Sequence, residues 1–158
     1  MIPMLEVRLH DVYEPGGSDL LSQWVLAVVQ GSNPALTDDI HHWVHHRDAE
    51  NALLLLESND VEGAFDLCGR RAWTQQMVIS EIETLWSRFQ NALEHSHTID
   101  SLSDVPSPAA VTYTGPRRRP NLGPLHDALV ACGTDGWRPR TAMRVGIMEC
   151  IAHSVEQV

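Results

Sequence analysis

The spacing of apolar residues changes from segment to segment along the chain, and each period predicts an element. Over residues 4–13, Leu5, Val7 and Leu9 alternate with Glu6, Arg8 and His10, the two-residue repeat of a half-buried strand. Glu14-Pro15-Gly16-Gly17 closes that segment as a turn. Ser18 or Asp19 then caps a helix to about Gln30, with Leu20, Leu21, Trp24, Val25 and Val28 on one side. Gly31-Ser32-Asn33-Pro34 breaks the chain again. Thr37 followed by Asp38 and Asp39 has the chemistry of an N-cap with acids in the first turn, which predicts a second helix to Glu57, closed by Asn59-Asp60. Val61 to Arg71 reads as a further short helix, weakened by Gly63 and Gly69.

The sharpest periodicity lies between Thr74 and Glu94. Val78, Ile79, Ile82, Leu85, Trp86, Phe89, Ala92 and Leu93 fall within an arc of roughly 140° on a helical wheel, and polar residues fill the rest. From Ser96 to Pro124 the composition turns to Ser, Pro, Gly and Thr, and Pro106, Pro108, Pro116, Pro120 and Pro124 exclude helix through most of it. Ala110-Val111-Thr112-Tyr113 within it has the character of a short strand. A short helix from Leu125 to Ala131 follows, stopped at Cys132-Gly133, and a last one starts at Pro139.

These elements predict a mainly α fold: a single-domain helical bundle of about five helices, with a short N-terminal strand and a proline-rich loop. Residues 1–95 form an acidic helical body, 96–124 a Pro/Ser/Arg-rich loop or linker, and 125–158 a C-terminal helical pair packing on the body. The lone strand has no evident mate, which leaves pairing within the chain or across a dimer open.

Composition narrows the function. A chain of 158 residues with 43% hydrophobic side chains buries a core without needing disulfides or metal. The three cysteines, Cys68, Cys132 and Cys150, form no C-x-x-C pair, so free thiols in a cytoplasmic protein are expected. The N-terminus lacks the basic start and apolar core of a secretion signal, and no apolar run reaches membrane-spanning length. All basic side chains are arginine, which points to a high-GC bacterial or phage origin and excludes Schiff-base and P-loop lysine chemistry. The net charge of −10 is uneven. Residues 1–105 carry 17 acids against five arginines, whereas residues 106–158 carry four acids against six arginines. An acidic body repels phosphate at a distance, which disfavours nucleic acid as a partner and fits a protein partner.

Candidate chemistry centres on His41-His42-Trp43-Val44-His45-His46. On a helix capped by Thr37, His41 and His45 share a face as an i, i+4 pair, the spacing that lets two imidazoles reach one divalent ion such as zinc. His42 and His46 form a second pair beside them, on a solvated or partner-binding face, with Trp43 as an interface anchor if it is exposed. Four clustered imidazoles also offer a pH-sensitive contact. Arg117-Arg118-Arg119 offers a grip for phosphates or for an acidic protein. Gly133-Thr134-Asp135-Gly136-Trp137 between two helices, with Arg138, Arg140 and Arg144 following, resembles a helix-turn-helix loosely, though Arg144 is better placed for pairing with an acid. His126-Asp127 is too short a signal for a metal hydrolase. No G-x-S-x-G, Walker or G-x-G-x-x-G sequence occurs.

The expected function is therefore a noncatalytic regulatory, inhibitor or adaptor protein without cofactor. It would present an acidic helical surface as a homodimer and bind its partner through Trp43, His42, His46, Arg117, Arg118 and Arg119. The alternative is a metal-dependent enzyme or metal-responsive protein using His41 and His45. The third reading is a DNA-binding regulator using the C-terminal helices.

Overall fold

The computed structural model describes residues 4–96, 98 and 119–156. Leu5–Leu9 is a strand (β1), as the alternation predicts. Asp11 then turns the chain through a left-handed conformation (φ 53°), which an Asp tolerates better than most residues. Val12–Tyr13 continues as a second short strand (β2). Asp19 caps the first helix, Leu20–Val29 (α1), accepting a hydrogen bond from the Ser22 amide.

The segment expected to start the second helix is extended instead. Ile40–His41 (β3) and Val44–His45 (β4) are strands, and the helix runs only from His46 to Ser58 (α2). Thr37 does not cap it. The Thr37 amide donates to Gln75 Oε1 at 2.7 Å, and Gln75 Nε2 donates to the Ala35 carbonyl at 2.8 Å. Gln75 is 2% exposed, so one buried amide nearly 40 residues away holds this stretch open. The helix is capped by His45, whose Nδ1 accepts from the Arg47 amide at 3.0 Å.

Residues 61–71 are not helical either. Gly63–Leu67 (β5) is a strand with Phe65 and Leu67 buried, followed by Trp73–Thr74 (β6). Gln75–Glu94 (α3), capped by Thr74, follows the predicted boundaries closely. Gly123–Ala131 (α4) and Met143–Glu156 (α5) complete the described elements.

β1 lies parallel to β5, from Leu5 opposite Gly63 to Leu9 opposite Leu67. β2 lies parallel to β4, and β3 antiparallel to β6. Parallel neighbours require crossover connections, and helices supply them here: α1 lies between β2 and β4, and α1 with α2 between β1 and β5. This alternation of strand and helix corrects the mainly α, all-helical expectation. The fold is α/β, and the N-terminal strand finds its mate within the chain.

Two apolar cores result. One joins α1, α3 and α5 through Leu21, Val25, Ile82, Leu85, Ile147 and Ile151, with Tyr13, Trp24, Trp43 and Trp73. The other joins α2, α4 and the strand pair through Leu56, Phe65, Leu67, Leu125 and Leu129, with Val44 and Trp137. Trp43 and Val44 are consecutive residues on extended chain, so their side chains point to opposite sides and enter different cores. Among the described residues no helix is long and apolar enough to cross a membrane.

Candidate functional site

A cavity of about 710 Å³ opens where the two cores meet. Tyr13, Trp43 and Trp73 line it from the first core and Val44 from the second, and six of the chain's 11 arginines converge on it: Arg70, Arg71, Arg119, Arg138, Arg140 and Arg144. Three separate stretches supply them. Arg70 and Arg71 follow β5, Arg119 precedes α4, and Arg138 to Arg144 lie on the approach to α5 and in its first turn.

The local fold fixes this convergence. The Gly69 amide donates to the His42 carbonyl at 2.7 Å, and a side chain at 69 would run into the Trp43 carbonyl, so only glycine lets this backbone lie against residues 42–43. The Trp137 indole donates to the Cys68 carbonyl at 2.8 Å, which pins the residue before Arg138 beside the one before Gly69. The His126 imidazole packs on Gly136 and accepts the Trp137 amide at 3.1 Å, a structural role for the His126-Asp127 pair. The Thr141 amide donates to Asp48 Oδ2 at 3.0 Å. The Arg119 guanidinium donates to the Arg70 carbonyl at 2.8 Å. Arg144 Nε donates to Glu81 Oε1 at 2.5 Å, and Glu81 is buried, which is the acid partner expected for it. Arg70, Arg71, Arg138 and Arg140 remain exposed around the opening. Like charges gathered in a cleft focus a positive potential, and planar guanidinium forks suit phosphate oxygens.

The histidine cluster is divided rather than shared. His41 and His45 lie on different strands, so the helical i, i+4 geometry that would have made them metal ligands does not exist. His41 Nδ1 sits 2.9 Å from Asp11 Oδ1 and its ring stacks on Trp43 at 4.8 Å. The Asp11 carboxylate also accepts the His42 amide at 2.7 Å. His42 is half-buried, and burial, aided by Arg119 and His41 and opposed by Asp11, holds its pKa below the ordinary histidine value. His45 is 1% exposed and lines the cavity, and burial lowers its pKa against the pull of Glu149. His46 stacks on His45 at 4.7 Å, with Nε2 3.9 Å from Glu14. Among the described residues no three His, Cys, Asp or Glu side chains converge as a metal site.

Trp43, an interface anchor only if exposed, is 7% exposed and belongs to the core. Arg119 lies on the cavity, while Arg117 and Arg118 fall outside the described residues, as does the segment Ala110–Tyr113. Arg138 and Arg140 border the cavity rather than forming part of a groove-reading helix. Sequence reasoning singled out most of these arginines in separate groups. Arg70 and Arg71 it passed over, and the signal available for them was an adjacent basic pair in an otherwise acidic stretch.

No protein-family model matches the chain, and no curated protein sequence matches it. Comparison of the fold does find similar solved structures. The Bordetella bronchiseptica enzyme WbmF, solved with NAD+ and UDP, superposes with a TM-score of 0.70 at 10% identity, over 99% of this chain and 47% of that one. The Thermus thermophilus UDP-glucose 4-epimerase in complex with NAD gives 0.66 at 19% identity, over 99% and 48%. The Bacillus anthracis dTDP-glucose 4,6-dehydratase with NAD gives 0.65 at 16% identity, over 96% and 44%.

Identities this low show the fold alone: this chain has the α/β architecture found in these enzymes and spans just under half of their length. That finding overturns the all-α regulatory reading and, with it, the noncatalytic adaptor and the DNA-binding regulator, both of which were built on all-helical surfaces, whereas the similar folds are those of enzymes. The expectation of no cofactor or a single divalent metal runs against the same comparison, in which the similar proteins were solved with NAD.

Proposed function

We propose that this chain carries the substrate-phosphate pocket of a nicotinamide-dependent enzyme that acts on nucleoside-diphosphate sugars. The observation that supports this reading is the gathering of six arginines on one cavity in a chain of net charge −10. Arginines distributed for solubility would be scattered among the acids. These leave the acidic exterior and concentrate where a doubly charged ligand would sit. A cavity of about 710 Å³ lies in the usual range for small-molecule sites and is larger than a diphosphate needs.

In this reading Arg138 and Arg140 hold the phosphates at the opening, with Arg70, Arg71 and Arg119 closing around them. Arg144 is neutralised by its pair with Glu81 and shapes the wall rather than adding net charge. Tyr13, Trp43 and Trp73 exclude water from the inner wall. The residues present do not form the cradle of a nicotinamide cofactor: a dinucleotide pyrophosphate sits on a glycine-rich turn between strand and helix, and here β1 is followed by His10-Asp11 and β5 by Cys68-Gly69-Arg70, with Gly69 filled against the backbone at Trp43. A reducing, cytoplasmic setting belongs to the same proposal. Cys68 and Cys150 are buried and unpaired, and burial pushes both thiols up to about 12, where they are poor nucleophiles.

Titration calorimetry with UDP and with inorganic pyrophosphate tests the pocket. Both are expected to bind, with affinity falling steeply as salt rises. Arg138→Ala combined with Arg140→Ala is expected to weaken UDP by about 100-fold, on the order of two charge-assisted contacts, while changing stability by less than about 0.5 kcal/mol. Unchanged UDP affinity in the double variant would sink the reading.

A further inference from the structure

Among the described residues β1 is hydrogen-bonded to a neighbouring strand on one edge alone, and its other edge is open. The Gly63 amide donates to the Met4 carbonyl at 3.0 Å and the His10 amide to the Leu67 carbonyl at 2.9 Å. Backbone groups alternate sides along a strand. The even-numbered residues therefore face β5, and Leu5, Val7 and Leu9 turn their N–H and C=O groups to the open edge. Of the devices that blunt an edge, β1 has neither a proline nor a bulge, and its two charges are opposite in sign. Such an edge is a template for a further strand.

The sequence of β1, Leu-Glu-Val-Arg-Leu, says which strand fits. Read in opposite directions about Val7, it is complementary to itself. An antiparallel copy centred there sets Val7 against Val7, Leu5 against the partner's Leu9, and Glu6 against the partner's Arg8. The odd-numbered residues then exchange backbone hydrogen bonds in both directions, as the open edge requires. Glu6 and Arg8 are exposed and fall at the non-hydrogen-bonded positions, where facing side chains approach most closely. Arg8 holds Asp66 through Nε and Nη2 at 2.8 and 3.1 Å, while Nη1 lies 4.0 Å from Glu6 of its own chain, a loose contact that the partner's Glu6 would replace. Leu9, 49% exposed, gains cover from the partner's Leu5. Moving the axis by one residue sets Glu6 against Glu6 or Arg8 against Arg8, so charge selects the register.

We propose that the open edge of β1 is a self-association surface, where a second copy of this chain pairs antiparallel about Val7 to form a two-fold dimer. The two strand pairs then join into one continuous sheet. None of residues 5–9 lines the arginine cavity, so this assignment stands apart from the ligand proposed there.

Sedimentation velocity over about 1 to 100 μM protein follows the association. The wild-type chain is expected to pass from monomer to dimer across that range. Glu6→Arg sets arginine against arginine on both sides of the axis and is expected to weaken the dimer by about tenfold, with the melting temperature held within a few degrees. Val7→Pro removes a donor from the open edge and none from the ladder to β5, and is expected to abolish the dimer. If that variant does not fold, Glu6→Arg decides alone. Amide exchange followed by NMR reads the register. The Leu5, Val7 and Leu9 amides are expected to gain protection as concentration rises, whereas those of Glu6 and Arg8 are protected throughout. A chain that stays monomeric over the whole range overturns the proposal, whether another segment or another protein covers the edge. A dimer that Glu6→Arg leaves intact overturns it as well, as does one in which the Leu5, Val7 and Leu9 amides exchange as fast as in the monomer.

Discussion

The two cores bury comparable sets of aliphatic and aromatic side chains but are assembled differently. The core of α1, α3 and α5 is built by helices whose apolar faces repeat every three or four residues. The core of α2, α4 and β1–β5 depends on a ladder between residues 58 positions apart in the sequence, Leu5 with Gly63 through Leu9 with Leu67. Local periodicity reports the first kind of core directly. The second exists only once the intervening chain has crossed over, and its strands carry no signal that names their mates. The arginine-lined cavity forms between the two, where residues from both approach each other.

The comparison breaks most visibly if one core can melt without the other. Ile82→Ala in the first and Leu125→Ala in the second each remove a fully buried side chain and are expected to cost about 3 kcal/mol. Because Trp43 and Val44 anchor adjacent backbone in the two cores, both variants should show a single unfolding transition by tryptophan fluorescence and by far-ultraviolet circular dichroism. Two separated transitions would show that the cores are independent.

Acid should act next, and differently on each side. His42 and His45, between the cores, have pKa values lowered by burial from the ordinary 6.5. The unfolded chain therefore takes up protons before the folded one, so stability is greatest above that value and declines as pH falls from about 7 towards 5. Melting temperatures measured across that range should fall, and a flat profile would contradict the buried neutral state. Asp66, on β5, acts in the same direction over a lower range: hydrogen bonds from Arg8 and His10 hold its carboxyl well below the usual range. Its contribution persists above the ordinary carboxylate pKa and is lost only in stronger acid. The smallest effect is expected from Thr74→Ala, which removes the side-chain cap of α3 and should cost about 1 kcal/mol by denaturant titration.

The legibility of the sequence follows the same division. The cap of α1 at Ser18 or Asp19, the span and face of α3, the alternation of β1 and the stop at Gly133 are local features, and all lie where the residues place them. The stretches 40–45 and 61–71 carry helical signals yet are extended, because their decisive interactions are distant. Gln75 holds Ala35 and Thr37 extended, and β5 takes its conformation from β1. For the site, the histidine run is correctly the most unusual local feature, but its helical spacing is an illusion of the misplaced cap. The arginines of 119 and 138–144 are visible in the sequence as separate basic groups. Only the fold shows that they share a cavity with Arg70 and Arg71.

The peptide between Trp43 and Val44 has a consequence for binding kinetics. With one side chain embedded in each core, this short length of backbone cannot shear without disturbing both, and Gly69 packs against it from the other side. The inner wall of the pocket is therefore shaped before any ligand arrives. A ligand entering it loses its own freedom but does not have to order the protein, so the entropic penalty falls almost wholly on the exposed guanidinium arms at the opening. Association should then be set by diffusion and by the attraction of those arms, and differences among ligands should show chiefly in how slowly each one leaves.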